Sequence, residues 1–249
     1  MKTIRPAMAL LWLGLALAAC AKSTPTPIKI VVATDATYPP MEMVDASGEI
    51  VGFDIDLMKA AASAVGATVE FKNVAWDDLF AGLSEGEFDA VISSVTITDE
   101  RRKTMDFSIP YYAEDQVLVI PSATTGVNTI EDLSGQSVGV LRGSSAAAEF
   151  ATLAEQYGIT IVPYDAYEKY FEALLDGQVA AVVTDAPMAE TYVTHYQGQL
   201  RMATQLTVKE EFGVAVRKGE KEMLGIINAG LQAVIESGEA AALEAKWIK

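Results

Sequence analysis

The chain has 249 residues, 51% of them hydrophobic, and a formal net charge of −16 from 18 basic and 34 acidic residues. That acidity argues against nucleic acid and anionic membrane surfaces as partners. A single histidine, His195, and a single cysteine, Cys20, exclude histidine-based triads, His/Cys metal clusters and any disulfide within the chain.

The start reads as an export segment. Lys2 and Arg5 precede the apolar run "AMALLWLGLALAA", too short to span a bilayer comfortably, and Cys20 follows it. "LALAAC" resembles a bacterial lipoprotein box, which implies cleavage after residue 19 and lipid attached to Cys20. Residues 20–27, small, polar and proline-bearing, read as a tether from that anchor. The first nineteen residues hold two of the 18 basic residues and none of the 34 acidic ones, so the exported remainder stands at −18.

Beyond the tether the elements alternate. "IKIVVAT" is a β-branched strand. After the turn in "DASGE", Ile55, Met58, Ala62 and Val65 recur at helical spacing, with Gly66 as the stop. "TVEFKNV" reads as a strand, "WDDLFAGLSEG" as a helix and "DAVISSV" as a strand, the pattern of a parallel sheet. "DQVLVIPSA" links this unit to a second with the same order: strand "SVGVLRG", helix "SSAAAEFATLAEQYG", strand "TIVPYD", helix "AYEKYFEALLDG", strand "AAVVTD". "EGEFDAVISS" and "DGQVAAVVTD" enter the two third strands alike. "EFGVAVRKG" adds a strand and the tail adds two helices, too little for a third domain. If the tail returns to the first unit, the chain crosses between units twice and forms a two-strand hinge. His195 falls late in a helix, as an ordinary surface residue.

Open α/β sheets bind ligands beyond the carboxyl ends of their strands. Those ends carry Asp35, Tyr38, Trp76, Ser94, Thr96 and Arg101 in the first unit, and Leu141, Arg142, Ser144, Ser145 and Asp185 in the second. Each has an ordinary structural explanation. Thr98-Asp99-Glu100 would cap a short helix with both arginines in water. Asp185 before Ala186-Pro187 and Ser144-Ser145 are acceptable N-caps, and Trp76 would suit a core. Taken together, Arg101 with hydroxyls makes a carboxylate site, Asp185 an ammonium site, Tyr38 and Trp76 an aromatic pair, and Asp35 a further acid. That set complements an α-amino acid with a cationic or polar side chain.

The motifs "ATDATYPPMEM", "GEIVGFDIDLMKA", "FDAVISSVTITDERRKTMDFSIPYY", "DLSGQSVGVLRGSS", "AAVVTDAPMA" and "FGVAVRKG" cover residues 28–249 in order. In them the chain resembles the periplasmic polar amino-acid-binding proteins of ABC importers, the family 3 solute-binding proteins. The resemblance implies a two-lobed periplasmic-binding-protein fold of type II, an α/β architecture with two hinge strands and a ligand cleft between lobes. Lobe 1 would be residues 28–114 and 212–249, and lobe 2 residues 115–211.

The resemblance also implies roles. Arg101, with Thr96 and Ser145, would hold the ligand α-carboxylate, which a guanidinium fork fits. Asp185 and Ser94 would take the α-ammonium. Tyr38 and Trp76 would sandwich the side chain, with Asp35 at its far end, and Leu141, Ser144 and Ser145 would join the contacts as the lobes close. Met41, Ser144 and Ser145 depart from the family's usual phenylalanine and threonines, Ala146 lacks a large polar side chain, and the tail lacks the family's usual tyrosine. The implied partners are a free L-amino acid and an ABC permease/ATPase complex. The implied setting is a monomer, lipid-anchored at the membrane in the periplasm or on the outer face, needing no cofactor. Asp35, the aromatic pair and the acidic chain favour arginine, then lysine, ornithine or histidine. Glutamine, a prephenate or arogenate dehydratase-like enzyme, and a ligand-presenting subunit of a membrane sensor are the alternatives.

Overall fold

A computed structural model describes residues 27–248. The export segment, Cys20 and nearly all of the tether lie outside these residues. In chain order the strands and helices begin with β1 (Lys29–Thr34), β2 (Thr37–Tyr38), β3 (Glu42–Val44), β4 (Ile50–Val51) and α1 (Phe53–Ala64). Next come β5 (Thr68–Asn73), α2 (Trp76–Glu85), β6 (Ala90–Val91), β7 (Met105–Phe107) and β8 (Tyr112–Pro121). β9 (Ser137–Leu141), α3 (Ser145–Tyr157), β10 (Thr160–Tyr164), α4 (Tyr167–Leu175), β11 (Ala181–Asp185) and α5 (Ala186–His195) follow. The chain ends with β12 (Leu200–Phe212), β13 (Ala215–Arg217), α6 (Lys221–Ser237) and α7 (Glu239–Trp247).

Two five-stranded sheets organise two α/β lobes. One runs β5-β1-β6-β13-β7 and the other β10-β9-β11-β8-β12. Their central strands are the continuous apolar runs: Val32, Ala33 and Thr34 of β1 and Val138, Val140 and Leu141 of β9 are all buried, as strands covered on both faces must be. In α1, Ile55, Met58 and Ala62 are buried at helical spacing. The same helix packs against α6 so closely that a Cβ on Gly230 would sit 2.3 Å from the Ala61 carbonyl oxygen. The tail therefore returns to the first lobe, where β13 pairs antiparallel with both β6 and β7.

Four expectations change. The sheets are mixed: β5, β1 and β6 run parallel, as do β10, β9 and β11, but β13, β8 and β12 run against their neighbours. The linker "DQVLVIPSA" lies largely within β8, whose Val117, Leu118, Val119 and Ile120 are buried. β12, the 13-residue antiparallel partner of β8, has no counterpart in the sequence reading. Finally, "DAVISSV" keeps strand geometry only at Ala90–Val91, because Ser94 turns out of the strand with φ of +48°. β8 and β12 carry the chain into the second lobe and back, side by side. The ends of β1, β6, β9 and β11 then face one another across the cleft.

Candidate cleft between the lobes

Among the contacts that cross the cleft are three made by residues singled out in the sequence. The Tyr38 hydroxyl donates to Asp185 Oδ2. Thr96 Oγ1 and Ser145 Oγ lie 2.9 Å apart. Arg101 donates through one terminal nitrogen to the Thr96 carbonyl at 2.9 Å and through the other to the Gly143 carbonyl at 3.3 Å. Arg101 opens a 3-10 helix over Arg101–Lys103, and Thr98 Oγ1 accepts its main-chain N–H at 3.1 Å. The cap read from the sequence is therefore real, yet the guanidinium turns inward. It lies 5.4 Å from the Trp76 ring centroid and 5.3 Å from that of Phe80, over two aromatic faces. Burial pulls its pKa down.

Asp185 occupies the N-cap position of α5, with proline just inside the helix, but its side chain makes no capping bond and points to Tyr38 instead. Burial, then the nearby Glu210, pushes its pKa up to about 7. Ser94 is held in its left-handed conformation by a carboxylate: its N–H reaches Asp54 Oδ2 at 2.7 Å, an oxygen that also accepts from Tyr111 at 2.8 Å. A non-glycine residue at positive φ stores backbone strain, and here a buried charge-assisted bond offsets it.

The remaining candidates are arranged differently from the simple picture. Asp35 lies partly buried at the cleft wall and accepts from the Trp76 main-chain N–H at 3.0 Å and from Thr37 Oγ1 at 2.8 Å, so it also ties down the start of α2. Its pKa is nevertheless raised, because burial outweighs those two bonds. Tyr38 packs at a tilt against Tyr167, with centroids 4.9 Å apart, and Trp76 meets Phe80 edge-on at 5.2 Å. Ser144 caps α3, accepting from Ala147 N–H at 3.0 Å and donating to the Leu141 carbonyl at 2.8 Å, while Ser145 faces the cleft. Leu141 is buried at the end of β9. Arg142 turns away and pairs with Asp165 at 2.8 Å in an exposed salt bridge.

Sequence reasoning passed over several groups that the fold brings here. Glu210 of β12 accepts from Thr96 at 2.7 Å and Ser145 at 3.0 Å, and Gln116 of β8 donates to its other oxygen. Glu114, also on β8, is buried beside them. Glu42 accepts from Ser93 at 2.9 Å beneath Tyr38, with its pKa raised by burial and by Asp54. Asp35, Thr37, Tyr38, Glu42, Trp76 and Tyr167 line, with Ser93, a space of only about 10 Å³. A larger hollow of about 510 Å³ between α5 and the end of α7 carries none of the convergent groups. Among the described residues no cluster of His, Cys, Asp and Glu has metal-site geometry, and no helix is long and apolar enough to cross a membrane.

The sequence model for bacterial extracellular solute-binding proteins, family 3, matches residues 30–249. The chain belongs to that family. The probable histidine-binding protein of Neisseria gonorrhoeae is 35% identical over 219 residues, covering 87% of this chain and 81% of that protein. The ABC transporter arginine-binding protein 1 of Escherichia coli (strain K12) is 33% identical over 224 residues, covering 88% and 90%. An ancestral arginine-binding protein bound to arginine shares the fold with a TM-score of 0.84 at 36% identity, covering 89% of this chain and 98% of that one. A family 3 solute-binding protein has the two α/β lobes and paired connecting strands seen here.

Proposed function

We propose that this family 3 protein captures a cationic L-amino acid, arginine foremost, outside the cytoplasm and delivers it to an ABC permease. One observation carries the reading: a single guanidinium, Arg101, shares the cleft with the carboxyls of Asp35, Glu114, Asp185 and Glu210. Both hydrogen-bond acceptors of Arg101 are main-chain carbonyls, so its charge is available to a ligand carboxylate. Asp185 suits the α-ammonium, and Ser94, whose own bonds run to Asp54, would assist it. The surplus acid then favours a ligand with a second positive charge over a neutral one. Arginine and histidine as ligands of the relatives named above support this reading. Thr96, Ser145 and Tyr38 each bond across the cleft, so the ligand would tie closure of residues 28–114 and 212–249 against residues 115–211 to its own capture. Cys20 would anchor the monomer through lipid, with residues 20–27 as its reach to the permease.

A thermal-shift panel tests the ligand class. Saturating arginine, at about 100 times its Kd, stabilises the protein by about 2.7 kcal/mol. Lysine, ornithine and histidine should shift melting less, and glutamine least of the five. No shift with any amino acid, together with turnover of prephenate or arogenate, would replace this proposal with the dehydratase reading.

A further inference from the structure

Glu114 is an acid without an evident partner at the base of the cleft. It is only 6% exposed, and neither carboxyl oxygen meets a hydrogen-bond donor among the described residues. Its place in the hinge explains what surrounds it. On β12, Glu210 stands directly opposite Glu114, and on β11, Asp185 stands opposite Gln116, two residues along the same face of β8. Like charges opposed across a strand pair, and buried, destabilise one another. Glu210 is stabilised by Thr96, Ser145 and Gln116. Glu114 has no such support, and β8 carries it on the same face as Gln116, the residue that stands opposite Asp185.

We propose that Glu114 is the second acid of the ammonium site: it shares a proton with Asp185, and the ligand ammonium displaces that proton as it binds. Asp185 makes the contact with the ligand, and Glu114 is a positioning residue behind it. Before capture the pair carries one proton and one negative charge. The O–H bond breaks, the proton leaves to solvent, and two carboxylates face one ammonium, so the net charge of the site is unchanged at −1. Burial, Asp185 and Glu210 raise the pKa of Glu114 well above the usual range, the direction that favours a held proton until a cation arrives. The groups facing the pair are Tyr38 from β2, Tyr167 from α4, Asp54 from α1, Glu210 from β12, Arg101 across the cleft, and Tyr112 and Asp115 from β8 itself. This inference rests on the amino-acid-capture reading.

Calorimetry with L-arginine at pH 8, in two buffers of different ionisation enthalpy, counts the protons released. That pH lies above the range of Asp185, so its own titration contributes little. Wild-type protein should release about one proton per arginine bound, and Glu114→Gln should bind arginine while releasing about none. Wild type that binds arginine with no proton release, or a Glu114→Gln protein that releases as many as wild type, overturns the inference and leaves the capture reading standing. Wild type that binds no amino acid overturns both. If Glu114→Gln does not fold, infrared difference spectra of the wild type decide. Loss of a protonated-carboxyl C=O band on adding arginine supports the shared proton, and an unchanged band refutes it.

Discussion

Replacing Arg101 by alanine removes the group to which the proposed function assigns capture of the α-carboxylate. In the free protein the change deletes two hydrogen bonds, to Thr96 and Gly143, and the approach to the faces of Trp76 and Phe80. Each cation–π contact is worth roughly 0.5–1 kcal/mol. The alanine variant is also relieved of the cost of burying a guanidinium, so the loss of stability is modest. The effect on binding is larger. A ligand carboxylate closed in the cleft without its cation is stranded, at a cost of about 2–5 kcal/mol. That corresponds to an arginine affinity weaker by about 30-fold to several thousand-fold. Arg101→Lys keeps the charge but loses the fork, and should fall between wild type and alanine. Calorimetry on both variants, after melting curves have shown them folded, gives the comparison. A loss below about tenfold in a folded Arg101→Ala protein would place the ligand carboxylate elsewhere and break the argument.

Other expectations follow from individual contacts. Asp35→Asn removes a negative charge while keeping an acceptor for the Trp76 N–H, so arginine and lysine should lose more affinity than glutamine; equal losses across the panel would count against a charge role for Asp35. Gly230→Ala forces a Cβ to 2.3 Å from the Ala61 carbonyl oxygen and must push α6 off α1, costing about 1–3 kcal/mol or more; an unchanged melting temperature would show that the helices part freely. The pH dependence of stability has a definite sign. Asp54 and Asp185 are raised in the folded state to about 6 and about 7, above the roughly 3.9 of an unfolded aspartate. Their carboxyls thus favour the folded state fully below about pH 4, and that contribution is lost as pH rises toward 7. Asp106 and Asp165, lowered by Lys218 and Arg142, act oppositely but below that window. Urea unfolding of the protein without ligand should therefore give a higher midpoint at pH 5 than at pH 8, and the reverse order would contradict the burial of these acids as described.

The legible part of the fold was the part with a clean period. The β-branched runs of β1 and β9 and the apolar stripe of α1 stand out in sequence because both faces, or one stripe, are buried. The matching entries to β6 and β11 were also legible, although only Ala90–Val91 of "DAVISSV" keeps strand geometry before Ser94 turns out of it. β12 was invisible because "LRMATQLTVKEEF" mixes polar and apolar residues with two register shifts against β8, so no strict alternation survives. The same ambiguity hid the acids. Glu114 and Glu210 look like the solvent face of a strand, and only the pairing of β8 with β12 shows that this face closes the base of the cleft. Glu42 lies inside "YPPMEM" with nothing local to mark it, because its partner Ser93 is 51 residues away. For Arg101 and Asp185 the local readings as a helix start and an N-cap were true of the backbone and uninformative about the side chains, which point away from their own helices.

The most direct measurement is titration calorimetry of residues 20–249, unfolded and refolded to strip carried-over ligand, against arginine, lysine and glutamine. The expected order is arginine tightest, lysine weaker and glutamine weaker still. Glutamine or glutamate binding far more tightly than arginine would contradict it, because the surplus acids of the cleft would then be serving something other than a second positive charge.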